Sequence, residues 1–294
     1  MSAIWPVRFD LLHSLHTGAV PLLMPSLVNG ATLALLPGGA AGSADGAFRL
    51  LIAPQAAGRP AVYTNAQLAD DHMPRRHHRW RPPLTLTLEA RFAAPAGLAG
   101  TAGFGFWNDP AGMSRRRAPA LPRALWFFWH SPESALPLLF GNADGAGSER
   151  TGRAATQGFA ASLNSSAYGV VRAVRWLRRR LQAGQGRFDG LDLLRAGTGS
   201  QAAPLPALDE AWHRYQLAWH GASARWLVDG VEVFTTRDAP TGRLAMVIWI
   251  DNQFLIVRPD GRLRWQIKQG VTALATPQSL EIRRFEVEPG CQET

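Results

Sequence analysis

A chain of 294 residues, 46% of them hydrophobic and 11 of them tryptophan, has ample material for a packed core, which excludes global disorder. A net charge of +9 would ordinarily point to nucleic acid, but Lys268 is the only lysine among 31 basic residues. With heavy Ala, Gly and Pro usage that reads as codon bias, so nucleic acid is not the expected partner; the single cysteine, Cys291, excludes an internal disulfide.

Residues 1–46 read as a hydrophobic extension and linker. Pro6, Gly18, Pro21, Pro25 and Gly30 rule out a long helix there, and the stretch lacks the pattern of a secretion signal. No run is apolar and Pro-free for long enough to span a membrane as a helix, so a soluble, cytoplasmic protein is expected. Within the extension, Ser26–Val28, Asn29-Gly30 and Ala31–Leu36 predict a tight hairpin, and GGAAGSADG from Gly38 to Gly46 reads as a linker.

From Ala47 short strands follow in series: Phe48–Ala53, Ala61–Leu68, Leu84–Phe92, Ala102–Trp107 and Ala124–His130. Their spacing argues for an all-β sandwich or barrel over residues 47–290. The loop Asp70–Pro83 carries His72, His77 and His78 without the regular spacing of metal ligands, so neither metal nor other cofactor is expected. One amphipathic helix is predicted between Ser165 and Ala183, inside an insertion over about 160–186. Its apolar stripe is Val170, Val174, Leu177 and Leu181. Arg172, Trp176 and Arg179 lie off that stripe and offer a peripheral contact with membrane or a protein partner.

Trp212–Phe254 is the most patterned stretch. Tyr215, Leu217 and Trp219 alternate with small or polar residues, Gly221-Ala222-Ser223 turns the chain, and Trp226 and Val228 lead through Asp229-Gly230 to Val231 and Val233. Leu244–Ile250 is apolar at nearly every position, as a strand covered on both faces would be. In the last strand, Leu280, Ile282, Phe285 and Val287 imply one shift of phase and a bulge near Arg283-Arg284.

His213, Tyr215 and Trp219, then Trp226, Val228, Asp229-Gly230 and Val233, resemble the H-x-Y-x-x-x-W and F-x-V-D-G-x-x-V segments of family-16 glycoside hydrolases. LTLTLEARF (Leu84–Phe92) and GFGFW (Gly103–Trp107) resemble the strands preceding that family's catalytic strand. The resemblance implies the concanavalin A-like lectin/glucanase fold: a jelly-roll sandwich of two antiparallel sheets, with ligand bound across a concave face. It also implies a catalytic E-x-D-x-(x)-E strand, since retaining hydrolysis needs two carboxyls about 5–5.5 Å apart. The matching strand here is ALWFFWH, Ala124–His130, which contains no carboxylate, and Glu133 beyond it cannot replace a pair.

The expected ligand residues are therefore Asn65 and Gln67; Trp107 and Asp109; Trp126, Phe128 and His130; and Trp249, Asp251 and Gln253. Each set obeys the two-residue period of one strand face. Aromatic walls with a few polar groups suit a carbohydrate or another ring-containing small molecule, bound without hydrolysis. The bland alternative is that the aromatics are core and the Asp and Asn residues are turns. A further alternative is an enzyme of cyclase, isomerase or divergent glycosidase type, acting on an apolar or glycosidic metabolite with His130, Asp109 or Asp251 as acid/base.

Overall fold

The computed structural model describes residues 23–36, 47–55, 61–94, 97–110, 120–131, 141–142, 158–166, 199–252, 256–257, 263–264 and 274–290. The expected helix, with Arg172, Trp176 and Arg179, and also Glu133, Gln253 and Cys291, lie outside them. The strands in chain order are β1 (Met24–Val28), β2 (Thr32–Leu35), β3 (Phe48–Ile52), β4 (Asn65–Ala69), β5 (Leu84–Ala93) and β6 (Thr101–Trp107). They continue with β7 (Arg123–His130), β8 (Gly141–Asn142), β9 (Gly158–Asn164), β10 (Gln201–Pro204), β11 (His213–His220) and β12 (Ser223–Val228). The series ends with β13 (Val231–Thr236), β14 (Ala245–Asp251), β15 (Ile256–Val257), β16 (Leu263–Arg264) and β17 (Gln278–Pro289).

The strands form a jelly-roll sandwich. One sheet has eight strands in the order β1-β4-β14-β6-β7-β9-β10-β8 and the other seven in the order β13-β12-β11-β5-β17-β3-β2; β15 and β16 pair separately. Pairing within the two main sheets is antiparallel except between β8 and β10. Alternation sets what lies between the sheets. From the smaller sheet come Leu84, Leu86, Leu88, Ala90 and Phe92 of β5, Tyr215, Leu217 and Trp219 of β11, and Trp226 of β12. The larger sheet answers with Phe104 and Phe106, Leu125, Phe127 and Trp129, and Met246, Ile248 and Ile250. Trp226 Nε1 then donates to the Trp126 carbonyl of the facing sheet at 3.1 Å, so even the indole edge inside the core is paired.

The expected hairpin in the N-terminal stretch is not formed. Asn29 and Gly30 do turn the chain, at φ 51° and 83°, with Ala31 N donating to Val28 O at 3.3 Å. The two arms then separate: β1 pairs with β4 in the larger sheet and β2 with β3 in the smaller. The reason is burial. Leu23, Ala31 and Leu33 pack into the core between the sheets, and a flat hairpin would keep the strand after the turn in the sheet of the strand before it. Residues 24–35, placed by the sequence reading in an extension, are thus edge strands of the sandwich itself. β4 also begins later than expected, at Asn65, because residues 62–64 are held elsewhere: Asn252 Oδ1 accepts from Thr64 N and its amide donates to Val62 O.

The phase shift in β17 is a bulge between Arg283 and Glu286, with Arg284 at φ 48°. It sends Arg283 and Arg284 to the same carboxylate, Glu89, on the outer face of the smaller sheet, while Phe285 returns to the core. On the same face Arg49 and Arg91 share Glu281, and the guanidiniums of Arg91 and Arg283 lie 5.0 and 4.3 Å from the Trp212 ring centroid. That face is closed by ion pairs.

Candidate functional site

The larger sheet carries a second apolar cluster on its outer face. Ala69, Trp107, Ala124, Ala245, Val247 and Trp249 form it, with Trp126, Phe128 and Leu163 packed against it. β14 therefore has to be apolar on both sides, as its sequence implied. ALWFFWH divides likewise: Leu125, Phe127 and Trp129 go to the core, and Trp126, Phe128 and His130 go to the outer face.

Strand register arranges this face in four levels. The first holds Asn65, Asp251, Thr101 and His130 side by side; the second holds Gln67, Trp249, Gly103, Phe128 and Phe159. Ala69, Val247, Gly105, Trp126 and Ala161 make the third, and Ala245, Trp107, Ala124 and Leu163 the fourth. The aromatics concentrate in the middle. Phe128 stacks on Phe159 at 5.0 Å and 12°, meets Trp249 at 5.3 Å, and lies 5.8 Å from Trp126, which meets Trp249 edge-on at 6.0 Å. Glycine makes room for it. A Cβ on Gly103 would stand 2.7 Å from Trp249 Cη2 and 2.4 Å from the Phe127 carbonyl oxygen, so the indole of Trp249 lies directly over that backbone.

At the first level the polar groups are organised through Thr101. Asp251 Oδ1 accepts from Thr101 N at 3.1 Å and from Thr101 Oγ1 at 2.8 Å, while Trp249 Nε1 donates to Thr101 Oγ1 at 3.0 Å. The nearby Tyr63 hydroxyl is pushed above its ordinary range by burial and then by the Asp251 charge. His130 is 3% exposed, and its Nδ1 lies 2.8 Å from the Ser131 carbonyl. A carbonyl only accepts, so Nδ1 carries the proton and Nε2 presents its lone pair. Burial holds the ring below its usual pKa, outweighing the Ser131 hydrogen bond, so it stays neutral near pH 7. Nε2 has no hydrogen-bond partner among the described residues, and the same holds for the indole N–H groups of Trp107 and Trp126.

Most of the sequence-predicted set shares one face of the larger sheet. Asn65, Gln67, Trp126, Phe128, His130, Trp249 and Asp251 share the outer face, with Trp107 at its fourth level. Asp109 does not join His130 and Asp251. Trp107 is six residues from Thr101, which is ~20 Å of strand, and Asp109 lies beyond it in the β6–β7 connection. There its backbone is at φ 45°, and Arg75 donates to its carbonyl at 2.5 Å and to that of Asn108 at 2.7 Å. Of the three acid/base candidates, His130 and Asp251 share the first level and Asp109 stands apart from it. Asn108 and Asn252 act as turn residues: Asn108 bonds Leu121 O and Arg123 N, and Asn252 holds residues 62–64.

Two contributors escaped the sequence reading. Thr101 shares the phase of Gly103 and was legible by extending the strand one residue back. Phe159 belongs to β9, a segment that the reading assigned to the edge of a helical insertion. Among the described residues no group of three His, Cys, Asp or Glu is placed to hold a metal ion.

No family model matches the chain. No curated protein matches it either. Solved structures do. An endo-β-1,4-glucuronan lyase from the fungus Trichoderma reesei aligns over 90% of both chains at 10% identity and a TM-score of 0.48. An immunostimulatory antigen and pseudo β-1,3-glucanase of Mycobacterium tuberculosis aligns over 83% of this chain and 75% of its own, at 12% identity and a TM-score of 0.39. A β-1,3-1,4-glucanase (lichenase) from a mouse hindgut metagenome aligns over 83% and 80%, at 12% identity and a TM-score of 0.40. These three neighbours are described as a lyase, a pseudo-glucanase and a glucanase. The sandwich itself is established by the strand pairing.

Proposed function

We propose that the outer face of the larger sheet binds a carbohydrate, or a similarly hydroxylated ring compound, without hydrolysing it. The carrying observation is a pair of half-buried rings, Trp126 and Phe128, packed beside Trp249 on a face where the enclosed indole N–H groups of Trp107 and Trp126 and the enclosed His130 Nε2 have no hydrogen-bond partner among the described residues. A sugar offers apolar C–H faces to the rings and hydroxyls that both donate and accept. Leaving such polar atoms unmet costs stability, and a ligand that meets them recovers it. β7, the strand expected to correspond to the catalytic strand of the hydrolases, carries aromatics where paired carboxylates would be needed. Glucanases and lyases among the structural neighbours accord with a glycan ligand.

Isothermal titration with neutral oligosaccharides tests this. Binding is expected for the native protein, weakened about tenfold or more by Trp126→Ala combined with Phe128→Ala, whose rings stand centrally. A reducing-sugar assay on the same ligands should show no new ends. Accumulation of new reducing ends would defeat the non-hydrolytic reading, and unchanged affinity in the double variant would remove the platform from it.

A further inference from the structure

We infer that His213 is a proton-operated latch: as an imidazolium it ties Asp209, in the connection between β10 and β11, to Asp229 of the β12–β13 turn, and on losing a proton it releases Asp209. The inference is independent of the ligand face. His213 opens β11 with both ring nitrogens on carboxylates: Nδ1 lies 2.6 Å from Asp229 Oδ2 and Nε2 lies 2.9 Å from Asp209 Oδ1. An ionised carboxylate only accepts, and a neutral imidazole donates from one nitrogen alone, so the two contacts together require a ring that carries both protons. Each carboxylate is also held by a backbone N–H, Arg214 N donating to Asp229 Oδ1 and Ala211 N to Asp209 Oδ1, both at 2.8 Å. The Ala211 and His213 hydrogen bonds hold Asp209 below the usual carboxylate range. Burial raises Asp229, but the His213 and Arg214 hydrogen bonds outweigh it, so both groups are anionic.

The two ends of the latch differ. Asp229 is built into its turn, at φ 51° and with its own N–H donating to Arg214 O at 2.8 Å. Asp209 has no such anchor. Leu205 N donates to Gly158 O of β9, and beyond it the only hydrogen bond among the described residues that ties residues 206–211 to a strand is the one between Asp209 and His213. The single proton of a neutral ring therefore stays on Nδ1, at the shorter contact, and Nε2 turns a lone pair on the Asp209 carboxylate, which repels it. Leu208, inside the released stretch, packs against the core, so the latch governs an apolar contact at this end of the sandwich. The charged groups facing the ring are Asp209 and Asp229. Tyr215, beside it on β11, is kept neutral by burial and then by those two charges; the register partner on β5 is Ala90, and Arg214 projects from the opposite face. Burial lowers His213, but the hydrogen bonds and charges of Asp229 and Asp209 outweigh it and hold it above the ordinary 6.5. A group raised on folding contributes fully below its unfolded value, so the latch is whole below pH ~6.5 and is lost as pH rises through the higher folded value.

The experiment follows the ¹⁵N resonances of the His213 imidazole in the full-length protein from about pH 5 to about pH 9, together with amide exchange of residues 207–211 expressed as protection factors. It is run on the native protein and on Asp209→Asn. Asp209 is 56% exposed at its side chain, so the substitution leaves the core alone. Asparagine serves either state of the ring, because its carbonyl accepts from a protonated Nε2 and its amide donates to a bare one. Support consists of a ring protonated at both nitrogens below pH ~6.5, loss of the proton from Nε2 above it, and native protection that falls about tenfold through that transition while Asp209→Asn stays level. A His213 that titrates at or below 6.5 overturns the latch. Native protection that stays level through the His213 transition overturns it too, as does a fall of equal size in both proteins.

Discussion

Asp70 closes β4 with its carboxyl turned into protein: Oδ1 accepts from Met246 N and Oδ2 from Trp80 Nε1, both at 2.6 Å. Burial pushes it up to about 7, and the two donors and Arg79 pull against that while Asp71 adds to it. The folded state thus holds this proton far above the unfolded value of 3.8, so its contribution is full below pH ~4 and is lost as pH rises through ~7. Three pH units correspond to a contribution on the order of 4 kcal/mol. Asp70→Asn removes the titration while keeping the Met246 acceptor. The difference in melting temperature between native and variant proteins should therefore shift against the native protein from pH 4 to pH 8, and a constant difference would contradict the assignment. Gly103 acts at the same scale by lacking a side chain. Gly103→Ala forces either β7 or the Trp249 indole to move and should cost about 1–3 kcal/mol by denaturant unfolding, with weaker ligand binding.

At the scale of elements, the bulge in β17 shows how a break in pattern is used. Two consecutive arginines reach Glu89 because Arg284 takes the left-handed backbone, and beyond the break Phe285 is again in the core. The neighbouring Glu281 is 3% exposed at its side chain and is held by Arg49 and Arg91, themselves exposed by 40% and 37%. Solvent around the arginines screens these pairs, so Glu281→Ala should lower stability by only about 1 kcal/mol, an effect that shrinks further in high salt. Thermal unfolding at two ionic strengths checks both parts. β14 was legible from Leu244–Ile250 alone because a strand covered on both faces must be apolar throughout. β7 was legible as a strand, but its two faces are equally aromatic, and sequence offered no reason to prefer either as the outer one.

For the whole molecule, β1 and β2 cap one edge of each sheet. Deleting residues 1–36 would bare the hydrogen-bonding edges of β4 and β3 together and expose Leu50, Ile52 and Leu68, which are fully buried. The truncated chain is expected to melt at lower temperature and to self-associate, by differential scanning calorimetry and light scattering. A truncated protein as stable and monodisperse as the native one would return these residues to the status of an extension.

What the sequence determined by itself was local and periodic: strands β3 to β7, β11 to β14 and β17, the Asp229-Gly230 turn, the bulge, and the shared face of Asn65 with Gln67, of Trp126, Phe128 and His130, and of Trp249 with Asp251. Two-residue alternation carries that information because neighbouring side chains point to opposite sides. Sheet membership after the Asn29-Gly30 turn, the outward orientation of Trp126, Phe128 and His130, the hub at Thr101, and the separation of Asp109 from Asp251 were decided only by tertiary structure. Each depends on which strand lies beside which and on what covers the far side of a sheet, and those pairings join residues distant in the chain by burial rather than by any neighbouring motif.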